Sequence, residues 1–151
     1  DGAAELNTYL NASSDVYYFS YTFSATSKNR LTGYHTPNKD VFLLIRSRAK
    51  LLGSRVVFTS NGSETDSTWW ENDGIVNSRS MRGPTTGQNG ADPIVEYLAS
   101  EPLMQGQWYT FESIKLDHYQ SVGHMLSNEK REMLDSIYIK HAQLLWSLPK
   151  Y

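Results

Sequence analysis

Apolar positions group into segments whose spacing predicts regular structure. Residues 2–11 carry apolar side chains at helical spacing and predict a short helix. Residues 16–23 are almost wholly aromatic or β-branched, and predict a strand buried on both faces, as in a parallel sheet covered by helices. Residues 41–52 predict a helix that ends near Gly53 as a C-cap glycine. Residues 108–114 predict a second strand.

The last part of the chain has the most regular pattern. Asn128 is predicted to cap a helix that ends before Pro149. Its apolar residues recur every three or four positions and form one wide stripe: Met133, Leu134, Ile137, Tyr138, Leu144, Leu145 and Leu148. The polar stretches 24–37, 59–68 and 78–92 predict loops. The alternation of helices and strands favours an α/β fold. Because two strands are too few for a sheet covered on both faces, we expect the chain to be part of a larger sheet.

Composition narrows the class of protein. The 151 residues fit one domain, and 14 basic against 16 acidic side chains leave a formal net charge of −2. This near-neutral balance argues against a nucleic-acid binder. The absence of cysteine excludes disulfides, zinc–thiolate sites and a cysteine nucleophile. No apolar run reaches the roughly 18 residues of a membrane-spanning helix. The start at Asp1, without an initiator Met, leads us to expect a processed or partial chain.

Of the four histidines, one stands where α/β proteins place their sites. His118 closely follows the second predicted strand, at the strand end where open α/β sheets bind ligands. His141 falls in the terminal helix and is expected to pack. His35 is expected to be a solvated loop residue, and His124 has no partner at a metal-ligand spacing.

Asp73 is the best candidate for a carboxylate that meets His118. It precedes a glycine in an acidic tip, which also fits an ordinary turn. A carboxylate beside a histidine fixes the imidazole tautomer and stabilises the imidazolium when the ring takes a proton from a hydroxyl nucleophile. Asp117 and Glu71 are rival carboxylates, although Asp117 adjoins the histidine and is poorly placed to face its ring. No Gly-x-Ser-x-Gly motif occurs. The order acid then histidine is the one that follows the serine in α/β-hydrolases.

Several motifs resemble the C-terminal part of the Bacillus- and Staphylococcus-type triacylglycerol lipases, family I.5. They occur in the family's order at residues 1–7, 16–20, 31–34, 71–84 and 116–118. The resemblance implies that residues 1–151 are a single C-terminal segment of an α/β-hydrolase domain, with half of its sheet and flanking helices. It also implies a serine hydrolase acting on acyl esters, in which Asp73 is the triad acid and His118 the triad base.

The same resemblance implies that the chain is incomplete alone. The serine, the oxyanion hole and the lid lie upstream of residue 1 in those lipases, so we expect a partner, either an N-terminal chain or an N-terminal segment of the same polypeptide. Lipid or ester is the expected substrate, and secretion is the expected route. The potential N-glycosylation sites at Asn11 and Asn61 favour that route slightly.

No metal or cofactor is expected. The zinc ligands of those lipases lie upstream of residue 1. At the calcium site, Gln120 replaces a glutamate, residues 124–126 replace an Asp-Pro region, and the loop glycine falls near Asp40. Calcium requires several oxygen ligands, charged ones for tight binding.

Two other functions stay open. The chain can be a noncatalytic interaction module with a hydrolase-derived fold. A weaker alternative is carbohydrate binding by Trp69 and Trp70, although adjacent tryptophans more often anchor a core or a loop.

Overall fold

The computed structural model describes residues 12–58, 64–84 and 94–149. The predicted helix at 2–11 and the glycosylation sites at Asn11 and Asn61 lie outside this part of the chain. The chain divides into two compact units, Asp1–His118 and Tyr119–Tyr151. Among the described residues, no helix combines the length and apolar character needed to cross a membrane.

A parallel sheet of three strands forms the centre of the first unit. The strands β1 (Tyr18–Ser20), β4 (Ile94–Glu96) and β5 (Trp108–Thr110) lie in the order β1-β5-β4. Aromatic pairs across β1 and β5 stabilise the sheet, with the rings of Tyr18 and Trp108 stacked at 4.8 Å. Both predicted strands are present, which agrees with the α/β prediction.

The strands are shorter and more exposed than predicted. Beyond β1, the first predicted strand pairs again at one bridge, Phe23 with Ile114. The residues of β1 are half-buried rather than buried on both faces, because β1 forms an edge of the described sheet. Strand β4 was not predicted at all. Its three residues carry no recognisable period, and the pairing with β5 determines their conformation.

The loop prediction for 24–37 was wrong, because this stretch contains an antiparallel hairpin. Its strands are β2 (Thr26–Lys28) and β3 (His35–Pro37). The side-chain oxygen of Asn29 accepts hydrogen bonds from the backbone N–H groups of Leu31 and Thr32, at 2.9 and 3.1 Å. These contacts, with Gly33 at a φ of 75°, reverse the chain.

The predicted helix at 41–52 is confirmed as α1 (Leu43–Leu52), with Gly53 as its C-cap. The reason for this glycine differs from the expected one. Its φ is −69°, so a left-handed conformation does not require it. A Cβ atom at this position would instead lie 2.0 Å from the backbone oxygen of His35. Helix α1 and its preceding residues contribute to a small buried core formed by Ala25, Val41 and Ile45.

The terminal helix α3 (Asn128–Ser147) is confirmed, and it lies in the second unit. The N-cap is Ser127 rather than the predicted Asn128, because the Ser127 hydroxyl accepts a hydrogen bond from the backbone N–H of Lys130 at 3.4 Å. Of the apolar stripe, Leu134 is buried. A short helix, α2 (His118–Ser121), precedes α3.

Candidate active site

His118 and Asp73, which lie 45 residues apart in the sequence, are in direct contact. The imidazole Nδ1 lies 2.8 Å from the carboxylate Oδ2 of Asp73. The two residues are also joined through the backbone, since the N–H of His118 donates to the carbonyl oxygen of Asp73 at 3.0 Å. The structure therefore brings both predicted site residues together.

Asp73 is held by the turn that it forms. Its Oδ1 accepts hydrogen bonds from the backbone N–H groups of Ile75 and Val76, at 2.9 and 2.7 Å. Gly74 makes the turn possible, because its φ of 98° strains a residue with a side chain. The two interpretations of Asp73 from the sequence are compatible. One carboxylate oxygen closes the turn, and the other faces the imidazole.

The two side chains differ in their access to solvent. The Asp73 side chain is 2% exposed, whereas that of His118 is 43% exposed. Because a carboxylate only accepts hydrogen bonds, the contact places the ring proton on Nδ1 of His118 in the neutral imidazole. The other ring nitrogen, Nε2, points away from Asp73. This arrangement suits a histidine that exchanges a proton at Nε2 while a buried carboxylate orients the ring.

The rival carboxylates face other groups. Asp117 is buried, and its Oδ2 accepts a hydrogen bond from the backbone N–H of Phe42 at 2.8 Å. Glu71 forms an ion pair with Lys115 at 3.1 Å. Burial raises the pKa of Glu71. Hydrogen bonds from Ser24 and Lys115, together with the positive charges of Lys115 and His35, outweigh this effect, so the pKa lies below its ordinary value.

Asn72 is a buried residue of the site that was not predicted from the sequence. Asn72, directly before Asp73, is completely buried, and its amide nitrogen donates to the carbonyl oxygens of Ala49 and Trp70. The position next to Asp73 was the only available signal, because an asparagine in a polar turn is unremarkable in a single sequence.

The remaining histidines differ in their exposure to solvent. His35 lies in β3 and is half-buried, so the expectation of a solvated loop residue was wrong. Its Nδ1 lies 3.3 Å from the Thr26 hydroxyl, and burial lowers its pKa. His124 is exposed and His141 half-buried. Among the described residues, no cluster of three or more histidine or acidic side chains could hold a metal.

Gln120 occupies the position where the resemblance places a calcium-binding glutamate. It is buried, and its side-chain oxygen accepts a hydrogen bond from the ammonium of Lys130 at 2.8 Å. The contact pairs this oxygen with a positive charge of the protein itself.

Trp69 and Trp70 both contact the protein itself. The guanidinium of Arg79 lies over the Trp69 ring at 5.1 Å. The Trp70 indole donates to the carbonyl oxygen of Arg55 at 3.2 Å, and its ring meets Tyr34 edge-on. Both residues thus anchor loops, and no observation favours the carbohydrate-binding alternative.

A cavity of about 870 Å³ lies beside the turn that carries Asp73. Glu71 and Ser78, which flank that turn in the sequence, line the cavity on one side, and Thr110 and Phe111 line it from the end of β5. Neither Asp73 nor His118 is among its described lining residues. The cavity is therefore adjacent to the Asp73 turn, but neither of the two candidate residues borders it.

No protein-family model matches the chain. Its structure is similar to that of EstA from Clostridium botulinum, with a TM-score of 0.75 and 35% sequence identity, over 89% of this chain and 31% of EstA. Lipase 1 from Pelosinus fermentans has a TM-score of 0.73 and 29% identity, over 99% of this chain and 37% of that lipase. Staphylococcus hyicus lipase, at 22% identity, shares the fold with a TM-score of 0.77, over 95% of this chain and 34% of the lipase.

These comparisons define the class of fold. The chain has the α/β fold of part of a hydrolase domain, and it spans about a third of the length of each of these proteins. The predicted resemblance to lipases of the Staphylococcus and Bacillus type is confirmed, as is the predicted α/β fold of a partial domain.

Proposed function

We propose that this chain supplies the acid and the base of a Ser-His-Asp triad that hydrolyses acyl esters, in a lipase or carboxylesterase. The observation that carries the proposal is the 2.8 Å contact between His118 Nδ1 and Asp73 Oδ2, with the carboxylate buried and the imidazole partly exposed. The similarity to two proteins described as lipases supports an ester substrate.

The proposed reaction begins with a serine hydroxyl supplied by polypeptide outside these 151 residues. His118 takes the hydroxyl proton at Nε2 while the serine oxygen attacks the ester carbonyl. The resulting imidazolium gives this proton to the leaving alcohol, and an acyl-enzyme forms. Water then hydrolyses the acyl-enzyme, with His118 acting again as base and acid. Asp73 keeps the ring in the required tautomer and stabilises its positive charge.

The partner in this proposal is the polypeptide that carries the serine, as a separate chain or as a segment of the same one. Within the described sheet, β1 pairs with β5 and has no strand on its other side. Such an edge is where a further strand adds to a sheet. We expect the chain expressed alone to hydrolyse no ester, and to gain activity when it is produced together with the serine-bearing polypeptide. Secretion is part of the same proposal, and cell fractionation tests it.

The test of function compares two histidine variants in the complete protein. His118→Ala should reduce kcat for a p-nitrophenyl ester by about 10⁶-fold, because it removes the base. His124→Ala is the matched control, since His124 is exposed and lies outside the triad, and it should keep the activity of the unmodified protein. Equal activity in the two variants would contradict the proposal.

A further inference from the structure

The residues directly before Asp73 and His118 share an unusual environment. Asn72 and Asp117 are 0% and 1% exposed, and both have polar side chains. Each side chain forms a hydrogen bond to the backbone of α1 or of its N-cap. Burial of a polar side chain is unfavourable unless its hydrogen bonds are made. The loss of either contact would therefore destabilise this arrangement of the chain.

Asn72 joins the Asp73 turn to the last turns of α1. Its amide nitrogen donates to the carbonyl oxygen of Ala49 at 3.1 Å, and its amide oxygen accepts from the N–H of Gly74 at 2.9 Å. The turn also packs closely on the helix, since a Cβ atom on Gly74 would lie 2.8 Å from Cδ1 of Ile45. The position of Asp73 is therefore tied to α1.

Asp117 joins the His118 loop to the other end of the same helix. Its Oδ2 accepts from the N–H of Phe42 at 2.8 Å, and Phe42 is the N-cap residue of α1. Phe42 has no capping side chain of its own. A carboxylate at a helix N-terminus satisfies an otherwise unpaired N–H and interacts favourably with the helix dipole. Asp117 thus caps α1 from 75 residues away.

We propose that α1 acts as a brace that sets the distance between Asp73 and His118, with Asn72 and Asp117 as positioning residues. The two attachment points, Phe42 and Ala49, are about 10 Å apart along the helix at 1.5 Å per residue. The inference depends on the proposed triad for its effect on activity. A displacement of about 1 Å in a catalytic group can cost about 100-fold in rate. Loss of either attachment therefore impairs the reaction without removing a catalytic residue.

The test compares Asp117→Ala with Asp117→Asn in the complete protein. The asparagine oxygen can still accept from Phe42, whereas alanine cannot. We expect Asp117→Ala to lower kcat between about 10- and 100-fold with little change in KM, and Asp117→Asn to restore kcat to within about threefold. Asn72→Ala should behave like Asp117→Ala. Val41→Ala, a buried apolar truncation beside α1, is the control for a general loss of stability and should leave kcat unchanged.

A second measurement does not depend on turnover. In protein labelled with ¹⁵N-histidine, NMR reports the exchange of the His118 Nδ1 proton, which is retained while Asp73 accepts its hydrogen bond. We expect faster exchange in Asp117→Ala and Asn72→Ala, and slow exchange in Asp117→Asn and Val41→Ala. If Asp117→Ala does not accumulate as folded protein, Asp117→Ser, whose shorter side chain does not reach Phe42, takes its place.

The outcomes separate the two proposals. Slow exchange in every variant, or equal losses of kcat in Asp117→Ala and Val41→Ala, would overturn the brace. Failure of the proposed function would appear instead as a His118→Ala variant that is fully active. In that case the exchange measurement still tests whether α1 positions the two side chains.

Discussion

Replacement of Asp73 by asparagine exchanges one carboxylate oxygen for an NH₂ group and keeps the size of the side chain. The variant therefore tests the hydrogen bond that orients the His118 ring, without leaving a cavity. Oδ1 of Asp73 accepts from the backbone N–H groups of Ile75 and Val76. In Asp73→Asn, the amide oxygen must occupy this position, because an NH₂ group cannot accept those two bonds. The NH₂ group then takes the place of Oδ2, which lies 2.8 Å from Nδ1 of His118.

The consequence is a change of tautomer. Nδ1 of His118 must accept a hydrogen bond from the amide, so the ring proton moves to Nε2, which can no longer remove a proton from serine. In serine hydrolases this change lowers kcat by about 10⁴-fold, equivalent to roughly 5 kcal/mol of transition-state stabilisation. KM should change little, because the Asp73 side chain is buried and only 2% exposed.

The assay is steady-state hydrolysis of a p-nitrophenyl ester by the complete protein. Asp66→Asn is the matched control, because Asp66 also closes a turn by accepting from a backbone N–H two residues on, and its side chain lies outside the candidate site. This control should have the activity of the unmodified protein. A decrease of less than tenfold in Asp73→Asn, with the protein folded, would refute the proposed role of Asp73.

Three further predictions concern stability. The pKa of Glu71 lies below its ordinary value of 4.5 in the folded chain. The ionised carboxylate therefore stabilises the fold above pH 4.5, and this stabilisation is lost as the pH falls through the lowered pKa. Between pH 5 and pH 3, the melting temperature should fall less in Glu71→Gln than in the unmodified protein. Gly53→Ala places a Cβ atom 2.0 Å from the backbone oxygen of His35. It should lower the free energy of unfolding, measured by chemical denaturation, by more than about 2 kcal/mol. A decrease below about 0.5 kcal/mol would contradict the packing explanation. Ser127→Ala removes the cap of α3 and should lower the free energy of unfolding by about 1 kcal/mol, whereas Ser127→Asp should retain it.

Local patterns were sufficient for the elements with strong periodicity or composition. The helices α1 and α3 were predicted because their apolar residues recur at helical spacing, and β1 and β5 because aromatic and β-branched residues are concentrated there. The short strand β4 could not be predicted, since its three residues become a strand only by pairing with β5. The hairpin β2–β3 was missed for a similar reason, because its polar residues resemble a loop until they pair.

The two residues of the candidate site could be predicted from the sequence, but the residues that hold them in place could not. The order of Asp73 and His118, and the position of His118 after a predicted strand, indicated that they could meet. The sequence did not distinguish Asn72 from a solvated turn residue, and it offered Asp117 only as a rival carboxylate for His118. The contacts of both residues with α1 or its N-cap arise only in the folded chain. The sequence also suggested a solvated His35, whereas pairing of β3 with β2 places its ring beside Thr26.

The central claim is that His118, oriented by Asp73, activates a serine outside these residues. Reaction of the complete protein with a fluorophosphonate probe, followed by peptide mapping, measures this directly. We predict a single labelled serine in polypeptide outside residues 1–151, and labelling that is greatly slowed in His118→Ala. Labelling of a serine within this chain, or equally fast labelling of the His118→Ala variant, would contradict the account.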